Sequence, residues 1–185
     1  MSQQTNEVYP WSVALFIRGI QNLVGILVKA DRQSRHRGYP GELLLQSRFY
    51  PDMYELAKQL ERISDLALSG SALLIAEDPA SYRPERASIE GYIQMLRKTL
   101  NRLEQISAEQ IRLHSGQAVV IDSKSGSRQY IDIQQYLQIN LVPNFYFHLT
   151  TAYNLLRHNG VDIGKQDYLG PQPEPLNYNG LGADI

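Results

Sequence analysis

Apolar residues recur at alternating spacings of three and four in four segments of the chain, and this pattern predicts four amphipathic helices. The first helix continues to about Arg35, because Gly38 and Pro40 follow and end it. The four apolar stripes, in chain order, are Val13, Phe16, Ile20, Leu23 and Leu27; Met53, Leu56, Leu60, Ile63 and Ala67; Ile89, Ile93, Leu96, Leu100 and Leu103; and Leu141, Phe145, His148, Ala152 and Leu155.

The remaining helix ends also carry local signals. The second helix is predicted to end near Gly70, and Ser88 is suited to cap the third. "RHNGV" (157–161) closes the fourth, with its glycine in a left-handed C-cap. "YPDMY" (50–54) and "VPNFY" (142–146) share a proline followed by Asp or Asn, which predicts two similar helix starts.

The apolar period changes between the third and fourth helices. "QAVVID" and "RQYIDI" are rich in strand-forming residues and flank the turn-prone "SKSGS", so a small β-hairpin is predicted at 117–132. "IQQYLQI" (133–139) predicts a short helix leading to Pro143, and 71–87 a loop with helical turns. The segment from Gly164 is rich in Gly, Pro and Asn, which predicts a surface arm.

The composition fits one soluble domain. With 185 residues, 43% of them hydrophobic, the chain can bury a full core. The net charge of −1 predicts no general attraction to nucleic acid or to anionic membranes. Residues 11–28 are apolar but include Arg18, Gln21 and Asn22, so no membrane span is predicted. The absence of cysteine excludes thiolate chemistry and fits a reducing compartment, and a cytoplasmic protein is the simplest expectation.

Four long amphipathic helices with one long crossover predict an all-α four-helix bundle, with the small β-hairpin inserted between helices 3 and 4. We expect a single domain over residues 1–170, followed by a C-terminal tail at 171–185. The candidate chemistry centres on His148, which occupies an inward position of the fourth stripe. A lone histidine there is either a hydrogen-bonded core residue or a functional group, and the pattern leaves both open.

Two stretches resemble an uncharacterised domain-of-unknown-function family within the DinB/YfiT-like superfamily of metalloenzymes. They are "LLLQSRFYPDMYELAKQL" (43–60) and "LVPNFYFHLTTAYNLLRHNGVDIGKQDYLG" (141–170), with weaker support from "VALFIRGIQNLVGILVKA" (13–30). The resemblance implies an up-down-down-up four-helix bundle. It also implies the metal site of many members, in which one histidine of the second helix and two of the fourth, spaced by four, bind a divalent ion.

The chain departs from that histidine pattern. By the resemblance, His148 takes one fourth-helix position, Asn144 takes the other, and Gln59 takes the second-helix position. Neutral amides are poor ligands for zinc or nickel, so no cofactor is predicted and a divalent metal is disfavoured. Asp52 could add a carboxylate, although it lies about two turns from Gln59 along the predicted helix.

These residues predict a small-molecule-binding protein or an enzyme of isomerase, lyase or transferase type, with its site in the bundle interior. His148 would move the proton, Asn144 would orient its ring, and Gln59 and Asp52 would complete the lining, with tyrosine hydroxyls at the rim. The alternatives are a divalent-metal-dependent hydrolase or thiol-dependent transferase, and a non-enzymatic dimeric scaffold. Whether the protein is an enzyme stays open. The expected partners are a small-molecule ligand and a second copy of the chain.

Overall fold

The computed structural model describes residues 8–114, 118–123 and 126–172. Its long helices are α1 (Val13–Arg37), α3 (Leu56–Leu74), α4 (Ile89–Leu103) and α7 (Val142–His158). The short elements are α2 (Glu42–Leu45), α5 (Ala108–His114), β1 (Val119–Ser123), β2 (Gly126–Tyr130), α6 (Ile133–Tyr136) and α8 (Lys165–Leu169). The bundle and its late hairpin confirm the predicted fold class.

Contacts between the long helices give their directions. Gln59 of α3 meets His148 of α7, while Gly70 lies against Leu141, so α3 and α7 run antiparallel. Helices α3 and α4 run parallel, because Ser64 bonds Thr99 at 2.7 Å and the earlier Glu61 lies beside Tyr92. Helix α1 runs parallel to α7: Gly19 lies against Phe145, and Gln33 donates to the carbonyl of Gly160. The order is therefore up, down, down, up.

The core is built from the predicted stripes. The rings of Phe16 and Phe145 lie 4.8 Å apart between α1 and α7, and both side chains are fully buried. By length and composition alone α1 could cross a membrane. In the fold its apolar stripe packs against α4 and α7, as expected of a core helix in a soluble bundle.

Local capping chemistry determines several helix ends. Gly38 adopts φ 73° and ends α1, and Gly160 adopts φ 81° just after α7. The Ser88 hydroxyl accepts a hydrogen bond from the Gly91 N–H at 3.1 Å, as predicted for the start of α4. Val161, fully buried, makes the apolar contact that follows such a C-cap.

The start of α3 differs from the prediction. The helix begins at Leu56. The Pro51–Asp52 pair lies in a turn before it, in which the Met53 N–H donates to the Tyr50 carbonyl at 3.0 Å. Proline followed by aspartate suits the centre of a β-turn as well as a helix start, so the local pattern was ambiguous. The helix also continues past Gly70 to Leu74, and Leu141 occupies the space where a side chain at position 70 would be.

The start of α7 differs as well, because no break precedes Pro143. Helix α6 is capped by Asp132, whose carboxylate accepts from the Gln135 N–H at 2.8 Å. It passes into one π-helical turn, Leu137–Leu141, and then directly into α7. Proline cannot donate a helical hydrogen bond, and a wide turn just before it lets the helix pass that position without a break.

The hairpin and the C-terminal arm pack against the bundle. Strands β1 and β2 pair antiparallel from Val119↔Tyr130 to Ser123↔Gly126, which confirms the hairpin, and residues 117, 124 and 125 of its predicted range lie outside the described residues. The arm forms the unpredicted α8, held to α1 by a Lys29–Asp167 ion pair of 2.6 Å. Residues 173–185 of the predicted tail lie outside the described residues.

Candidate functional site

His148 lies on the side of α7 that faces α3 and is only 7% exposed. Its Nδ1 lies 2.6 Å from Oε1 of Gln59, which is 1% exposed. The other end of the same carboxamide donates from Nε2 to the Tyr54 carbonyl at 3.2 Å. The glutamine on the α3 stripe therefore ties the turn before α3 to the middle of α7.

This hydrogen-bond pattern determines the tautomer of the ring. Because Gln59 Nε2 donates to a carbonyl, Oε1 is the atom that faces the histidine, and an amide oxygen can only accept. Nδ1 therefore carries the hydrogen, and Nε2 holds the lone pair. In the described part of the chain, Nε2 has no hydrogen-bond partner.

Burial reinforces this neutral state. Desolvation and the positive charge of Arg62 lower the pKa of His148 from 6.5 to about 4. The imidazole is neutral at physiological pH, so it accepts hydrogen bonds and protons at Nε2 rather than donating a proton there.

Two aromatic side chains flank the ring and are themselves largely open to solvent. Tyr54, 52% exposed, stacks at 6.4 Å between centroids with the planes 21° apart. Phe147, 58% exposed, meets the ring edge-on at 5.3 Å. The buried imidazole therefore lies beneath an aromatic surface, at the edge of the bundle rather than in its centre.

The other two predicted site residues lie elsewhere. Asn144 is exposed, and its Nδ2 donates to the Asn140 carbonyl at 2.9 Å, so it does not orient the His148 ring as expected. Asn140 lies one helical turn before Asn144, so this bond is local to the helix. Asp52 is exposed in the turn before α3. Of the four predicted residues, the structure brings together Gln59 and His148.

The residues present do not fit the metal site that the superfamily implies. Gln59 Oε1 is already bonded to the only imidazole at the site, and Asn144 is bonded to Asn140. The described residues contain no group of three His, Cys, Asp or Glu side chains placed to hold a metal ion. His36 and His158 are exposed at the ends of α1 and α7, and the side chain of His114 lies outside the described residues.

The sequence pattern missed Phe147 and underused Tyr54. Phe147 falls just outside the α7 stripe, so the pattern assigned it no role. A large apolar residue on the polar face, directly beside the inward histidine, was the available signal. Tyr54 was one of several tyrosines near the predicted site, and it is the turn before α3 that places this one against His148.

The up-down-down-up arrangement of the long helices is that of DinB-like four-helix bundles. The chain belongs to the family described as Domain of unknown function (DUF1993), whose model matches residues 8–169. It is similar to the crystal structure of a DinB family member protein from Shewanella denitrificans, with 28% identity and a TM-score of 0.83 over 92% of this chain and 96% of that one. A search of curated proteins finds no match.

Proposed function

We propose that this protein binds a small neutral molecule at His148, with Nε2 of the imidazole accepting a hydrogen bond from an O–H or N–H group of the ligand. The observation that carries the proposal is the 2.6 Å bond from His148 Nδ1–H to Gln59, which leaves Nε2 as the free acceptor. A buried amide that holds a neutral histidine in one tautomer is the arrangement of a positioned acceptor.

The flanking rings indicate the shape of the ligand. Tyr54 lies nearly parallel to the imidazole and Phe147 stands edge-on to it, and each exposed ring offers an apolar surface against which the flat part of a molecule can pack. The catalytic form of the proposal is proton transfer of isomerase, lyase or transferase type, in which Nε2 of His148 takes a proton from the substrate and returns it.

The cysteine-free composition supports the cytoplasm as the location of the protein.

The test uses protein labelled with ¹⁵N at histidine and a panel of neutral ring compounds with O–H or N–H donors, each paired with its methylated analogue. We expect at least one donor compound to shift the Nε2 signal of His148 saturably at millimolar concentration, while its methylated partner does not. His148→Ala should abolish the response of backbone signals near the site. His158→Ala, an exposed histidine of the same helix, is the matched control. A panel without any saturable shift contradicts the proposal.

A second candidate is a non-enzymatic dimeric scaffold, which the exposed aromatic side chains favour. Phe49, Tyr50 and Phe147 are 44%, 65% and 58% exposed. Phe49 contacts His158, with their ring centroids 5.6 Å apart. His158 and Phe147 lie about three turns apart on one side of α7. A dimer that Phe147→Ser dissociates in sedimentation experiments would support the scaffold, and a monomer at all concentrations would exclude it.

A further inference from the structure

A cavity lies at another side of α7, between the start of α1 and the α6 segment. Its volume is about 360 Å³, within the range of small-molecule sites. Trp11, Leu15, Leu137 and Val142 form most of its apolar wall. Trp11 is 68% exposed, the largest side chain in the chain left so open. A large aromatic side chain left this open at the edge of a cavity marks a surface on which a ligand can stack.

The polar wall consists of two carboxamides, Gln134 and Gln138, four positions apart and so on one side of the helical segment. Within the described part of the chain neither carboxamide has a hydrogen-bond partner. Their neighbour Gln135 differs, because its Oε1 accepts from the Ile131 N–H at 2.9 Å. Two of the three glutamines therefore keep both donor and acceptor free at the cavity.

The π-helical turn Leu137–Leu141 helps to shape this wall. It widens the backbone where Leu137 and Gln138 enter the lining, just before Pro143. Such turns occur often at functional sites because they re-aim side chains within a continuous helix. Here the turn places an apolar and an amide side chain at the same cavity.

The chemistry of the lining selects the ligand class. Among the described residues, the cavity lining includes no charged side chain, so a charged ligand would lose hydration there without gaining a partner. A carboxamide offers one donor and one acceptor side by side, which matches the amide-like edge of another molecule. We propose that this cavity binds a neutral, flat ring compound with an amide-like edge, stacked on Trp11 and hydrogen-bonded to Gln134 and Gln138.

This site is separate from the one at His148. Val142 and His148 are six residues apart on α7, about 240° around its axis, so they face different neighbours. Either proposal can therefore fail without the other.

Trp11 makes the test specific, because it is the only tryptophan in the chain. The probe is benzamide, and the readouts are the indole fluorescence and the single indole N–H signal in the ¹H–¹⁵N spectrum. We expect a saturable change with benzamide, and at least tenfold weaker binding of toluene, which lacks the amide, and of benzoate, which carries a charge. Equal binding of either control, or no saturable change with benzamide, overturns the proposal.

The matched variants test the amide wall. Gln134→Met/Gln138→Met keeps the side-chain volume and helix propensity but removes both hydrogen-bonding groups, and should weaken benzamide binding at least tenfold. Gln21→Met, at an exposed position of α1, should leave binding unchanged. Leu15→Phe, which fills part of the cavity, should also weaken binding, and unaltered circular dichroism verifies the fold in each variant. Unchanged affinity in the double variant overturns the role of the glutamines.

Discussion

Helices α3 and α7 contact each other at two places with opposite chemistry. Near the end of α3, Gly70 has no side chain, and the fully buried Leu141 fills that space. Near the start of α3, the buried Gln59 and His148 meet through a hydrogen bond. The first contact depends on shape and the second on pairing of polar groups, so the same two helices should respond in opposite ways to apolar substitution.

The largest effect is expected at the apolar contact. Leu141→Ala should lower the free energy of unfolding by about 2–5 kcal/mol, because it removes buried apolar surface and leaves a cavity beside Gly70. Leu43→Ala, at a side chain that is 57% exposed, is the control and should change it by less than about 0.5 kcal/mol. Denaturant unfolding measures both. Equal losses in the two variants would mean that the Gly70–Leu141 contact is not closely packed.

The second-largest expected effect is a dependence of folding stability on pH at the polar contact. The pKa of His148 is about 4 in the folded protein and 6.5 ordinarily, so between these values the unfolded chain binds the additional proton. Stability is therefore fully present above pH 6.5 and falls as the pH drops toward 4, by about 3 kcal/mol. Unfolding curves measured across this window, compared with those of His148→Gln, isolate the histidine. An identical slope in the variant would contradict the lowered pKa.

A double-mutant cycle separates pairing from packing at the same contact. Gln59→Leu leaves the buried Nδ1–H of His148 without an acceptor and should cost about 1–3 kcal/mol. Gln59→Leu/His148→Leu removes both polar groups, and should recover most of that loss. Denaturant unfolding of the two single variants and the double variant gives the coupling. Strictly additive losses would show that the two side chains do not depend on each other.

The sequence predicts those parts of this comparison that depend on local chemistry. The stripe that buries Leu141 and His148 follows from helical periodicity, and Gly38 and Ser88 mark helix ends because capping needs only neighbouring residues. The resemblance then aligns Gln59 with His148, and the structure joins them.

The remaining features depend on contacts between distant segments or on ambiguous signals. Pro51 and Asp52 suit a turn as well as a helix start. The Leu56 N–H donates to the Ser47 carbonyl at 2.9 Å, so the first residue of α3 is bonded to a residue that precedes the turn. Helix α8 is held by α1 through Lys29, which local composition cannot reveal. Asn144 has the right spacing for His148, but its side chain bonds the Asn140 carbonyl, one turn in the opposite direction.

Asn144 therefore gives the smallest expected effect and the sharpest test of which amide orients the histidine. Asn144→Ala removes an exposed hydrogen bond to Asn140 and should change the free energy of unfolding by less than about 1 kcal/mol. Because Gln59 alone bonds Nδ1 among the described residues, the ¹⁵N signals and the pKa of His148 should stay as they are. Gln59→Leu, by contrast, should shift the Nδ1 signal and change the tautomer balance. A tautomer change in Asn144→Ala would mean that Asn144 reaches the ring, and would restore the polar set that the family resemblance implies.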